Sequence, residues 1–197
     1  PAGIFEMQFV CYRNYNAPRE EILQASPFAS RPDDLTSFMS SISAGYGAGR
    51  EAVEAGLWHV NHEVQQGDVS QVLLIGDAPA NEPAEVTANR SRRGEPYWKA
   101  DPRFAKPTTA DAELTAIAKA KVPVHAYWVS KKNGWEKSFF EHVAKSTGGQ
   151  SGFLDVNAEQ GKVELTDLLS KKILETLDKT GKMVEAYNKK YGHTVRT

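Results

Sequence analysis

Four consecutive apolar residues, Val72-Leu73-Leu74-Ile75, run straight into Gly76-Asp77-Ala78-Pro79. A run this short, without polar alternation, marks a strand covered on both faces, and a parallel sheet layered between helices provides that cover. The neighbouring segments supply the helices. Val53, Leu57, Val60 and Val64 share one stripe on a helix from about Arg50 to Gln66, which Gly67 stops. Leu114, Ile117 and Ala118 form the buried face of another, from about Asp111 to Lys121. A second strand, Val122 to Val129, follows, with Pro123 tolerated at its start. Trp135 to Ser146 then gives a helix carrying Phe139, Phe140 and Val143, ended by Gly148-Gly149 and followed by a short strand, Ser151 to Val156. The last helix starts near Val163 and presents Leu165, Leu168, Leu169, Ile173 and Leu177.

The first part of the chain reads differently. Ile4 to Tyr12 is aromatic and β-branched, hence a strand, and Glu21 to Phe28 is expected to pair with it antiparallel across the turn Arg13–Pro18. Pro32, Asp33 and Asp34 open a helix with Leu35, Phe38, Met39 and Ile42 on one face. The alternation as a whole predicts an α/β protein of three layers, doubly wound, with a mostly parallel sheet. This domain is expected over residues 1–179, with a Lys-rich helical extension over 180–197 after the break at Thr180-Gly181. Ala80 to Thr108 is polar and bears prolines, and reads as a long inserted surface loop.

Composition narrows the function. Lys and Arg number 24 against 25 Asp and Glu, so the net charge of -1 gives no basic surplus for nucleic acid. The one cysteine, Cys11, allows no intrachain disulfide and favours a reducing, intracellular setting. No apolar stretch approaches the roughly 18 residues of a membrane span. No Ser–His–Asp or Cys–His arrangement, phosphate loop or dinucleotide fingerprint is present, so an enzyme is not expected.

Ligands of parallel sheets gather at the carboxyl ends of the strands. Here that places interest on Arg13–Pro18, Gly76–Pro79, Ser130–Gly134 and Asp155–Asn157. Three segments near those ends resemble the von Willebrand factor A domain, in particular its intracellular versions attached to α-kinases. They are Phe9-Val10-Cys11-Tyr12-Arg13-Asn14, the stretch from Phe38 through the glycine loop to Leu57, and Val72 to Pro79. Phe140 to Gly149 is similar to the family's helix exit. The likeness spans Phe9 to Val156 and rests on order as well as wording.

The resemblance implies a divalent cation, usually Mg²⁺, above the sheet, held by an Asp-x-Ser-x-Ser loop, a threonine and an aspartate, with one position open for a partner's carboxylate. Asp77 matches that aspartate. The threonine's place falls in Gly45-Tyr46-Gly47-Ala48-Gly49-Arg50, which has neither threonine nor serine, and Arg50 brings a positive charge instead. Asp68-Val69-Ser70 precedes a strand and so lies at the wrong end. The family's central first strand has no counterpart, which leaves two strands without their common neighbour. The expectation is that the natural domain begins upstream of Pro1, or that a neighbouring segment or chain donates the strand.

The reading is therefore a protein-binding module with an incomplete metal site. Its expected contact residues are Gly45, Tyr46, Gly47, Gly49, Arg50, Asp77, Ala78 and Pro79, with Arg92, Arg93 and Trp98 from the long loop. Mg²⁺ would bind only if further residues completed the site. Alternatives are a Mg²⁺-dependent phosphotransfer or hydrolase domain using Asp77, with Lys131 and Lys132 nearby, or a structural subunit completed by a neighbour's strand. His59 and His62 read as a solvated helix face, Cys11 as a small core residue, and Lys171, Lys172, Lys179, Lys182, Lys189 and Lys190 as the wet side of the last helix.

Overall fold

The computed structural model describes residues 5–47, 49–67, 69–130 and 134–191. Ile4 at the head of the first expected strand, Asp68, Lys131 and Lys132 lie outside the described residues. Two compact units divide the chain, Pro1–Gly152 and Phe153–Thr197.

The first unit is α/β. Strands β1 (Val10–Tyr12) and β2 (Leu23–Ala25) pair antiparallel, with Cys11 opposite Gln24, and the short helix α1 (Arg19–Ile22) fills the connection. Helix α1 therefore takes residues expected to begin the second strand, because Pro18 sets its entry and Glu20 and Glu21 occupy its first turn. Helix α2 (Pro32–Ser41) and helix α3 (Val53–Gln66) follow. Strand β3 (Val72–Gly76) pairs parallel with β4 (Val124–Trp128), and β5 (Ser151–Phe153) takes the other edge of β4. Helices α4 (Pro83–Ser91), α5 (Glu95–Lys99) and α6 (Ala110–Lys119) lie between β3 and β4, and α7 (Trp135–Thr147) lies between β4 and β5.

Burial along the sheet follows position. Val124, His125, Ala126 and Tyr127 of β4 are all buried, so both faces of this central strand are covered. In β3 only Leu74 is buried and its neighbours are half-exposed, although its sequence is the more apolar run. The difference is that β3 has no second strand neighbour among the described residues. The expected single sheet is instead two sheets, β1-β2 and β3-β4-β5.

One apolar core gathers Val53 and Leu57 of α3, Leu114 and Ile117 of α6, and Phe140 and Val143 of α7 around Leu74, Val124 and Ala126. Gly149 lets the exit of α7 pass against β4: a Cβ there would stand 2.0 Å from the Val124 carbonyl oxygen. The second core gathers Tyr15, Ile22, Leu23, Ala52, Ala55, Val86, Trp98 and Phe104. Residues 80–108 are thus no surface loop, for they carry two helices and bury Trp98 completely. Glu82 and Glu85 cap the first turn of α4 reciprocally, a box whose spacing is legible in the sequence.

The second unit holds helices α8 (Gly161–Leu177) and α9 (Lys182–Tyr191). Here Lys172 corrects the expected wet face: it is 3% exposed and pairs with Glu175 at 2.6 Å, while Lys171 pairs with Asp167 at 2.7 Å. His59 is a second correction. It is buried on α3, 2.9 Å from the Gln8 amide oxygen and 3.4 Å from Glu63, and only His62 is exposed, stacked on Trp58. Cys11 is half-buried rather than a core residue, and burial raises its thiol pKa against the opposing effect of Arg13.

Candidate functional site

Strands β1 and β3 end close together. The Tyr12 hydroxyl, last residue of β1, donates to the Ile75 carbonyl at 3.4 Å, and the tyrosine ring packs against Gly56 of α3. Gly76 is required at this approach, since a Cβ would fall 2.6 Å from the Tyr12 oxygen and 3.1 Å from Phe140 Cζ. Enclosure raises the Tyr12 pKa, first by desolvation and then by the charges of Glu51 and Asp77. Asp77 follows directly and is exposed, whereas Ala78 and Pro79 turn inward and are buried. Of the three expected contact residues in this turn, Asp77 alone offers its side chain to a partner.

A small parallel bridge brings the glycine loop to the same place. Glu51 N–H donates to the Pro79 carbonyl at 3.0 Å, and Asn81 N–H donates to the Glu51 carbonyl at 3.1 Å. Gly45, Tyr46, Gly47 and Gly49 precede this bridge and are exposed, with Gly49 at φ 78° and Tyr46 at φ 63°. Arg50 is drawn in: it donates to the Ala80 carbonyl at 2.8 Å, pairs with Glu82 at 2.9 Å and Glu85 at 3.3 Å, and lies 5.9 Å from the centroid of Trp135. Its charge is therefore committed to the start of α4.

The expected residues from 80–108 do not join this face. Helix α4 spans nine residues, roughly 13 Å, so Arg92 and Arg93 sit at the end remote from Glu82. Arg93 lies over the Tyr97 ring at 5.3 Å. Trp98 is fully buried, donates its indole N–H to the Arg90 carbonyl at 2.8 Å, and presents nothing to a partner. It pins its segment to the body, with Arg90 over its ring at 5.2 Å and Tyr15 edge-on at 5.5 Å.

Sequence reasoning missed the layer beneath the face. Asn14 and Asn81 are buried there with Glu54 of the first turn of α3. Asn81 Nδ2 donates to Asn14 Oδ1 at 3.1 Å and to Glu54 Oε1 at 3.2 Å. Asn14 accepts from the Tyr15 amide at 2.8 Å and donates to the Arg50 carbonyl. Desolvation pushes the Glu54 carboxyl up to about 7 against its hydrogen bonds to Asn81 and Tyr15. An acid in the first turn of a helix is an ordinary sequence feature, so nothing in the pattern singled it out. Trp135, exposed at 60%, was also missed because it heads an amphipathic helix whose other aromatics are core.

The residues present do not fit a Mg²⁺ cage. A hard cation of this kind needs several oxygen ligands, while the face offers the carboxylates of Asp77 and Glu51 beside a loop without hydroxyl-bearing Ser or Thr. Among the described residues no group of three or more His, Cys, Asp or Glu is placed to hold a metal. No helix among them is long and apolar enough to cross a membrane. No family model matches the chain, and no curated protein sequence matches it.

Proposed function

We propose that this chain is a protein-binding module of von Willebrand factor A type that engages its partner without a resident metal. Its contact face is the carboxyl end of the β1 and β3 strands: Tyr46 and its flanking glycines, Asp77, and Arg50 with Trp135. The observation that supports the reading is the bridge between Glu51 and Ala80, which joins the residue pair after the glycine loop to the turn that follows Asp77. Arg50 and the missing hydroxyl ligands support the metal-free form. The lone thiol of Cys11 fits an intracellular, reducing setting.

A second reading rests on a different observation. Among the described residues β1 and β3 each have a strand partner on one side only, and the Tyr12 side chain reaches from one to the other. Each open edge presents unpaired backbone groups to an added strand. In this reading the module is completed by an extended segment lying between them.

One titration series separates these ideas. The ¹⁵N-labelled chain is titrated with Mg²⁺, then with an acidic peptide, then with a strand peptide ending in Asp-x-Ser-x-Ser, and finally assayed on a phosphate ester. The module reading expects no response to Mg²⁺ alone and no turnover. Completion expects the strand peptide to shift amides of β1 and β3 and to create Mg²⁺ affinity. Mg²⁺-dependent binding of the acidic peptide by the chain alone, or turnover of the ester through Asp77, would overturn the metal-free module.

A further inference from the structure

Glu54 is 0% exposed, and its Oε2 has no hydrogen-bond partner. A buried carboxylate oxygen without a donor is costly, and a neutral carboxyl at the same place costs much less. The group sits where three segments meet: the turn after β1 through Tyr15 and Asn14, the start of α3, and the turn after β3 through Asn81. Asn81 holds Glu54 and Asn14 at once, and Asn14 in turn holds the Arg50 carbonyl. Asn89 of α4 donates to the Asn81 oxygen at 3.5 Å and closes the chain of contacts.

No cation lies within this set to fix the carboxylate. The charged and titratable groups around it are Tyr12 and Tyr15 from the β1 side, Arg90 from α4, which acts on Tyr15, and Glu51 and Asp77, which act with Glu54 on Tyr12. Arg90 gives its two terminal nitrogens to the Phe104 carbonyl and Glu95, while its buried Nε has no hydrogen-bond partner. Arg13, also buried, donates to the carbonyls of Glu21 and Ser43 and to the Gln24 amide.

We infer that Glu54 is a proton-operated positioning residue: through Asn81 and Asn14 its protonation state sets how tightly the segments 50–54 and 77–82 are held. Protonated, the carboxyl stays in its dry pocket and the network is closed. Ionised, Oε2 lacks a donor in the closed arrangement, and the segments loosen to bring water or another donor to it. Desolvation places this change near neutrality rather than in the ordinary carboxylate range. The consequence for a docked partner rests on the functional reading above; the proton device itself does not.

The test uses the free protein. Carboxyl-detected NMR of the ¹³C-glutamate-labelled chain should give Glu54 a midpoint near neutrality. Amide hydrogen exchange at 50–55 and 78–82, corrected for intrinsic rate, should rise at least fivefold between pH 6 and pH 8, and Glu54→Gln should flatten that rise. Asn81→Ser should leave the Glu54 midpoint raised but remove the response at Arg50. A Glu54 midpoint in the ordinary carboxylate range, or equal exchange in wild type and Glu54→Gln across the range, would overturn the proposal. Neither outcome depends on any partner, so a failed partner reading leaves this result standing.

Discussion

Around Val124 and Ala126 the buried side chains of the core are aliphatic or phenyl. Of the polar groups buried on its elements, Thr147 and His125 each accept a hydrogen bond from a backbone amide, Val124 N–H at 3.0 Å and Gln150 N–H at 3.1 Å, and Asn61 donates to the Glu113 carbonyl at 3.0 Å. Around Trp98 the core is aromatic and threaded with polar groups: Asn14, Glu54, Asn81 and Arg90 are all buried. The first core is held by area and close packing, which are non-directional. The second depends on directed hydrogen bonds, where losing one partner leaves another stranded. The face proposed to bind a partner stands over the second core. A site needs fixed polar groups, and an apolar core has none to lend.

The largest expected effect tests whether the second core belongs to the cooperative unit. Trp98→Ala should cost about 4 kcal/mol in urea unfolding, since it empties a fully buried site and removes the indole bond to the Arg90 carbonyl. A loss under about 1 kcal/mol would make residues 83–104 a loosely attached cover. Leu114→Ala in the first core should cost about 3 kcal/mol. Its midpoint should shift equally by far-UV circular dichroism and by tryptophan fluorescence. Separate transitions would show that the two cores unfold independently.

Glu54→Gln should act in the opposite sense, and only above acid pH. The folded-state carboxyl titrates near 7 against an ordinary 4.5, so the fold favours its protonated form. Its support is complete below about pH 4.5, falls as pH rises to about 7, and is level beyond. The glutamine variant should therefore match wild type at pH 4.5 and exceed it at pH 8 by on the order of 3 kcal/mol. His59, also on α3, works the other way: burial chiefly lowers its pKa, opposed by Glu63, so the fold loses support as pH drops below about 6.5. That acid-side loss should remain in the variant. Thermal midpoints across pH 4.5 to 8 decide both.

The smallest effect lies at the seam between β1 and β3. Gly76→Ala should cost about 2 kcal/mol through the clash with the Tyr12 hydroxyl. Adding Tyr12→Phe removes that oxygen and should recover part of the loss, measured as a double-mutant cycle. An additive pair would mean the two strand ends do not touch as described.

The first core was legible because its residues recur at helical spacing or in unbroken apolar runs. Helices expected at about 111–121 and 135–146 stand at Ala110–Lys119 and Trp135–Thr147, and the apolar strand at Val72–Gly76. The second core has no period: Tyr15 and Phe104 come from turns and Trp98 from a five-residue helix. A polar, proline-bearing stretch looks like a loop until the partners of its few aromatics are known. The same limit hid Glu54, Asn14 and Asn81, and listed Trp98 among contact residues. Of the proposed face, Asp77 was legible as the end of an apolar strand and the glycine loop as the break between two helices, but the commitment of Arg50 to Glu82 and Glu85 was not.

By itself the sequence determined the α/β class, the short apolar strand and the helices around it. Those follow from local pattern and residue type. Only the tertiary structure decided that β1 and β3 meet through a tyrosine, that Trp98 is a pin, and that an unpartnered carboxyl lies beneath the face. Each of these depends on which distant segments come into contact. Burial and hydrogen bonding are properties of that company, not of the residue alone.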